Sequence, residues 1–582
     1  MAPRSGTVLV AEMVARYLER EGVRYVFGVP GSYILALYDA IHASPVLEAI
    51  LSKHEQGAAL MADGYAKVSG RLACCAATAG PGATNLVTGV ATSFMCSQPV
   101  LALTGQVPTS YFAKGALQEG TGLGRSIDQA GLLARVTKFS RRVDEPVEAE
   151  ETLRAAILAA RSGRPGPAAV ELPIDVLNSR VRFDGPLGHD AEPQVASADD
   201  VGRAAALLRE ARHPVILAGG GALYGDAAEA IAALADQAAI PVATTLKAKG
   251  ILPEDHPLAL GCAGLFGSSA ANAYLRDHCD VLLAVGASFH EFTSACYDEE
   301  LQPKTALIQV DADPAELGKN YPAEVCLLGS ARANLAALLE ALDRQATPAK
   351  QIAGLKKKHR WFDEPATRDD SSPIKPPYLM ACLRRCLPRD AIVFSESVTW
   401  TERYLPCYGP RTHIVGTGLA PIGYAGPAAI GGQLAAPDRT VVAVAGDGGF
   451  QFTAMEVLTA VNHGVPVKWV VLDNGRFASI HDAQSFLYGG RHVASDFRNP
   501  DFVALAQAFG ARGVRIEEPR GLDDQLRRAL AIEGPVLVAV ATDPQARPPF
   551  KPGVLRRTRA WKAPLPDTRA GTKAVFQMLK ER

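Results

Sequence analysis

Val441-Val442-Ala443-Val444-Ala445-Gly446-Asp447-Gly448-Gly449-Phe450 reads as an apolar strand that runs straight into a glycine-rich turn carrying one carboxylate. Five apolar residues in a row, without alternation, are what a strand buried on both faces of a parallel sheet requires. A helical stretch over 453–462 follows, and a second apolar run, Val467-Lys468-Trp469-Val470-Val471-Leu472, ends in Asp473-Asn474. Strand, helix and strand in this order make one crossover unit, which sets the two strands side by side and parallel. Asp447 and Asn474 lie 27 residues apart (474 − 447 = 27), each at the carboxyl end of its strand. They are therefore expected at one edge of the sheet, where open α/β sheets place their ligands.

The same alternation extends outward through the chain. Strand candidates at 25–29, 73–78, 100–103 and 168–172 are separated by helical stretches, and a second set at 214–218, 281–286 and 306–311 follows Asp199. The fold class is α/β, with three doubly wound parallel-sheet domains. The boundaries fall at 1–185, 195–345 and 373–552, followed by a basic, Pro-rich tail over 553–582. The stretch 344–377 is charged, contains prolines and is weakly periodic, and so reads as a linker.

A length of 582 residues calls for several cores, since one core stops growing near about 250–300 residues. Sixty Lys and Arg against 61 Asp and Glu give a net charge of −1, which offers no field for nucleic acid or an anionic membrane. The start has no signal-like region and no run approaches a membrane span, so a cytoplasmic protein is expected. Ten cysteines without a CxxC pair read as core residues in a reducing compartment rather than as a zinc site.

Glycines at 446, 448 and 449 let backbone N–H groups approach an anion, and a strand-end carboxylate suits a hard cation. Magnesium asks for octahedral oxygen ligation, which Asp447, Asn474, one backbone carbonyl and two phosphate oxygens would supply. This Gly-Asp-Gly, helix, strand, Asn pattern resembles the diphosphate-binding motif of thiamine-diphosphate enzymes, and by that resemblance the carbonyl is that of Arg476. In the first tenth of the chain stands Lys53-His54-Glu55-Gln56-Gly57-Ala58-Ala59. On its own, Glu55 reads as a first-turn charge complementing a helix dipole.

The surrounding text points elsewhere. Phe27-Gly28-Val29-Pro30-Gly31, the Glu55 segment, Gly80-Pro81-Gly82-Ala83-Thr84-Asn85-Leu86, Thr104-Gly105-Gln106-Val107-Pro108 and Gln118-Glu119 closely resemble acetolactate synthases. The resemblance covers nearly the whole chain. It implies a pyrimidine-binding N-terminal domain, a Rossmann-like central domain and a C-terminal domain for diphosphate and magnesium. It makes Glu55 the acid that activates the aminopyrimidine of thiamine diphosphate, from a pocket apolar enough to raise its proton affinity, and gives Gln118 a catalytic place. Cofactor contacts follow at Pro30, Ser397, Val398, Thr399, Ala420, Ile422, Gly446, Gly448, Gly449, Phe477 and Ala478. On pattern alone Ile422 is core. The family's active site lies between subunits, so a homodimer or homotetramer is implied.

Departures from the family concern the substrates. Leu117 replaces an aromatic residue, Gly115 an Asp, Ala483 a tryptophan that sets specificity and Ser479 a frequent methionine. The resemblance thus implies a carboligase that decarboxylates a 2-oxo acid and passes the acyl-anion equivalent to a carbonyl acceptor, with a rebuilt pocket. A simple 2-oxo acid decarboxylase and a non-catalytic relative remain as alternatives. Anabolic members also hold FAD in the central block. Here Gly219-Gly220-Gly221 matches, but Ser288 and Phe292 replace basic residues, Phe266 a His and Lys247 a Met, which argues against FAD.

Overall fold

The computed structural model describes residues 6–186, 194–343, 348–396 and 398–547. Three six-stranded sheets, each parallel throughout, form its frame. In the first the strands run in the order Glu48–Leu51, Tyr25–Val29, Ala73–Ala77, Val100–Gln106, Ala168–Pro173, Phe139–Arg142. The third has the same plan: His413–Val415, Ile392–Ser395, Val441–Gly446, Lys468–Asp473, Val536–Ala541, Arg512–Ile516. Val441–Gly446 pairs in parallel with Lys468–Asp473, Gly446 opposite Leu472, so strand, helix and strand do form one crossover unit. Among the described residues no helix is long and apolar enough to cross a membrane.

The first and third sheets share a core. The helix Glu55–Ser69 crosses the helix Ala425–Ala435 so closely that a Cβ at Gly64 would stand 2.0 Å from the Ala428 carbonyl oxygen. A Cβ at Gly431 would stand 1.9 Å from the Met61 oxygen, so two glycines permit the crossing. A buried ionic knot pins it. Lys67 Nζ meets Asp63 at 2.7 Å and donates to Tyr424 and to the Val415 carbonyl, while the Tyr424 hydroxyl donates to Asp63 at 2.8 Å. Full burial of both partners is tolerated because each charge is paired and hydrogen-bonded. The central sheet, by contrast, has a core of its own.

Two local expectations are corrected. Within 344–377 the chain is not simply a linker: Ala349–Lys358 is a helix, anchored by fully buried Ile352 against the central core, and Lys356 lies over the Trp361 ring. A single fully buried residue, with Leu355 and Trp361 only partly buried against the same core, gives little periodicity to read. The helix expected over 453–462 begins only at Glu456 and is preceded by a separate short helix, Asp447–Phe452, because Thr453 leaves helical geometry and donates to the Gly423 carbonyl. The ten cysteines are free; seven are buried, Cys296 and Cys386 half-buried and Cys326 exposed. The tail over 553–582 lies outside the described residues.

Candidate active site

Asp447 sits at the junction of the strand Val441–Gly446 and the short helix Asp447–Phe452 and is almost fully buried. Its Oδ2 accepts from the backbone N–H of Asn474 at 2.8 Å and of Gly475 at 2.6 Å, and from Asn499 Nδ2 at 2.6 Å. Its Oδ1 accepts from the Gly448 N–H at 2.8 Å. Burial pushes the Asp447 carboxyl up, against the pull of these four donors. Asn474 Oδ1 accepts the Arg476 N–H at 3.2 Å, and the Arg476 side chain is turned to Asp496 and to the Pro544 carbonyl. Asp447 and Asn474 thus converge as their strand positions require. The oxygen-rich set suits a hard cation. It holds a single carboxylate, and among the described residues no group of three or more His, Cys, Asp or Glu side chains converges for a metal, so such a cation would need a ligand's oxygens as well.

Asn499 was not foreseen. It arrives from a loop without periodicity and bridges Asp447 to Asp473 Oδ1 at 2.6 Å. Gly448 has no room for a side chain, since a Cβ would lie 2.4 Å from the Phe477 ring. Phe477 itself stacks edge-on against Phe497, and Ala478 opens the helix Ala478–Leu487. Glu396, by contrast, is spent on structure: its carboxylate accepts from the N–H groups of Gly423 and Ala425 and holds the turn that starts the helix Ala425–Ala435. Ser397 lies outside the described residues, as does the Val398 side chain; Thr399 stands in the first turn of Val398–Tyr404.

Ala420 adopts a left-handed φ of 53°, which re-aims the chain just before Ile422. Ile422 is 47% exposed, so the pattern reading of it as core is corrected. Phe452, which packs against neighbouring Gly423, is more exposed still.

Glu55 opens the helix Glu55–Ser69, half-buried rather than enclosed, and its Oε2 accepts from Asn85 Nδ2 at 2.9 Å. Asn85 belongs to the Gly80–Leu86 segment, whose sequence alone marks no role for it. Gln118, held at a left-handed φ of 63°, packs its backbone on Gly80, two residues from Gly82 at the Glu55 carboxylate. Pro30 is exposed at the end of the strand Tyr25–Val29, next to Gly31, which packs on Thr78. Among the described residues no hydrogen bond joins Glu55, Asn85 or Gln118 to Asp447, Asn474 or Asn499 within one chain.

The central sheet runs Ala259–Cys262, Val242–Thr244, Val215–Ala218, Val281–Val285, Ala306–Asp311, Val325–Leu328, and its order reverses between the third and fourth strands. A cavity of about 670 Å³ lies at that switch point, lined by Gly220, Lys247, Gly286 and Arg164 among others. Its size suits a dinucleotide. Its chemistry suits one less well. Arg164 is engaged by Glu316 and Asp313, Lys247 donates to the Met95 carbonyl, and Phe292 packs edge-on against Phe266 at 5.3 Å. His290, also at the cavity, is pushed down to about 4 by burial and by neighbouring Lys247.

Comparison with known proteins fits this geometry. Residues 9–129 match the thiamine pyrophosphate enzyme N-terminal TPP binding domain, 201–338 the central domain and 395–540 the C-terminal TPP binding domain. The protein is a thiamine-pyrophosphate-dependent enzyme. It is 37% identical over 573 residues to the probable acetolactate synthase large subunit of Methanocaldococcus jannaschii, covering 93% of each chain. It is 34% identical to the corresponding protein of Methanococcus aeolicus, over 92% of each. To the acetolactate synthase large subunit of Corynebacterium glutamicum it is 35% identical, over 93% of this chain and 88% of that one. The chain belongs to the acetolactate synthase family of these enzymes.

Proposed function

We propose that the protein is a magnesium- and thiamine-diphosphate-dependent carboligase that decarboxylates a 2-oxo acid and transfers the acyl-anion equivalent to a carbonyl acceptor bulkier than pyruvate. The carrying observation is the convergence of Asp447 and Asn474 at adjacent strand ends beside the side-chain-free Gly448. Bound thiamine diphosphate supplies the carbon nucleophile and the electron sink for decarboxylation. The protein's own residues hold and tune it. Asp447, Asn474 and the Arg476 carbonyl would ligate magnesium, and Gly446, Gly448, Gly449, Ser397, Val398, Thr399, Phe477 and Ala478 would serve the diphosphate end. Pro30, Ala420 and Ile422 would meet the rings, Glu55 would hold and exchange a proton at the aminopyrimidine, and Gln118 would face the reacting atoms.

Glu55 stands in the N-terminal TPP binding domain and Asp447 in the C-terminal one, and in the family these two domains of different subunits share one cofactor. We place the complete site between two subunits of a homo-oligomer, a symmetric dimer or a tetramer built from dimers. An inactive Glu55→Gln protein mixed with an inactive Asp447→Ala protein should then recover part of the activity after subunit exchange. Absence of recovery despite demonstrated exchange would place both residues in one chain's site.

The acceptor side is enlarged. Ser479 and Ala483, one turn apart on the helix Ala478–Leu487, share a face where the family carries large side chains, while Leu117 stands 79% exposed beside Gly115. Discrimination is a ratio of kcat/KM values. Measured over 2-oxo acid donors with a small and a large carbonyl acceptor, that ratio should favour the large one, and Ala483→Trp should shift it toward the small. A preference for pyruvate in the unaltered protein, or an unmoved ratio in the variant, would defeat the enlarged pocket; release of an aldehyde without ligation would favour simple decarboxylation. We also propose that the central cavity carries no FAD, since no basic side chain stands at 288 or 292. Flavin released on denaturing the purified protein would overturn this.

A further inference from the structure

The loop that presents Glu55 is braced from the C-terminal domain of its own chain. Glu456 opens the helix Glu456–Asn462 and is only 2% exposed. Its Oε1 accepts from the backbone N–H of His54 at 3.1 Å and of Lys53 at 3.2 Å, and its Oε2 accepts from Lys53 N at 3.2 Å and from the Thr459 hydroxyl at 2.6 Å. His463 Nε2 accepts from the Leu51 N–H at 3.0 Å. Residues 456, 459 and 463 follow the i, i+3, i+7 spacing of one helical face, and that face docks on 51–54.

From the other side the fit is equally close. A Cβ at Gly57 would lie 2.1 Å from Glu456 Oε1. Residues 53, 54 and 57 flank Glu55 on both sides, so one buried carboxylate fixes the backbone from which the Glu55 side chain projects. Backbone N–H donors to a buried carboxylate make charge-assisted bonds, stronger than neutral ones. Only three residues separate the helix Asp447–Phe452 from Glu456, so the brace is rigidly tied to the diphosphate end of the same chain.

We propose that Glu456 is a positioning residue for the reaction: by holding the N–H groups of Lys53 and His54 it sets the aim of Glu55 on the aminopyrimidine. The inference rests on the role of Glu55 given above. It accounts for the glycine at 57 inside a helix, where alanine would otherwise be preferred.

The test uses full-length protein with magnesium and thiamine diphosphate, and two measurements besides turnover: hydrogen–deuterium exchange at cofactor C2, and amide exchange of 51–57 in the cofactor-free protein. Displacements of about 1 Å cost up to about 100-fold in rate. Gly57→Ala and Glu456→Ala are each expected to slow C2 exchange by about 10–100-fold. Both should speed amide exchange at Lys53 and His54 and leave cofactor affinity within a few-fold. Glu456→Gln, which keeps one acceptor oxygen, should recover part of the C2 rate. The double variant Gly57→Ala/Glu456→Ala should be no slower than Glu456→Ala alone, because the new methyl group then has no carboxylate to displace.

Should Glu456→Ala fail to fold, Gly57→Ala and the Gln variant carry the test. Normal C2 exchange in a folded, cofactor-binding Gly57→Ala or Glu456→Ala protein, or additive losses in the double variant, would overturn the positioning role. Glu55→Gln run alongside separates the two claims. A slowed Glu55→Gln with unaffected Glu456 variants removes only the brace, whereas a normal Glu55→Gln removes both.

Discussion

Replacing Glu55 by Gln should slow hydrogen–deuterium exchange at C2 of bound thiamine diphosphate by about 10²–10⁴-fold, the usual contribution of a positioned acid–base group. The substitution is nearly isosteric. The Gln carbonyl can still accept from Asn85 Nδ2, which meets Glu55 Oε2 at 2.9 Å, so the side chain keeps its place and loses only its ability to carry the proton. Affinity for the cofactor should stay within a few-fold, since the contacts proposed for diphosphate and metal lie elsewhere. Rapid-quench exchange followed by proton NMR measures it. An exchange rate equal to that of the unaltered protein would remove Glu55 from cofactor activation.

Asp447→Ala should have the opposite signature, abolishing cofactor binding rather than chemistry on it. The side chain offers the site's central carboxylate, and its removal also strands four donors, the N–H groups of Gly448, Asn474 and Gly475 and the Asn499 amide. Diphosphate charge is then left without its counter-ion. Asn474→Ala should act alike through the lost oxygen. Asn499→Ala gives a graded control: it touches Asp447 without being a ligand, and such supporting groups typically cost about 10–100-fold in metal affinity. Titration calorimetry with magnesium present orders the three. Unaltered affinity in Asp447→Ala and Asn474→Ala would mean that the metal sits elsewhere.

The central strands were readable because a parallel strand covered on both faces must be apolar throughout, as Val441–Gly446 and Val281–Val285 are. Edge strands were not. Glu48–Leu51 and Phe139–Arg142 are short and half-exposed, so charged residues interrupt them and no period survives. The same logic divides the site. Asp447 and Asn474 end strands, and their meeting follows from topology. Asn499 reaches Asp447 from an irregular loop, and Glu456, by its sequence, is merely an acid in the first turn of a helix. Their roles depend on tertiary approach, which local sequence does not encode. Pattern alone took Ile422 for core for a related reason, since an exposed apolar side chain has the same composition as one packed in a core.

The ionic knot between the first and third sheets bears on how the chain is made. Asp63 and Tyr424 are 361 residues apart in sequence. At about 5–20 residues per second on the ribosome, the apolar face around Asp63 and Lys67 waits roughly 20–70 s for the segment that covers it. The central domain, with its own core, can fold during that interval. The N-terminal domain has a core of its own on one face, but the face around the helix Glu55–Ser69 gains its cover only once the helix Ala425–Ala435 has been made.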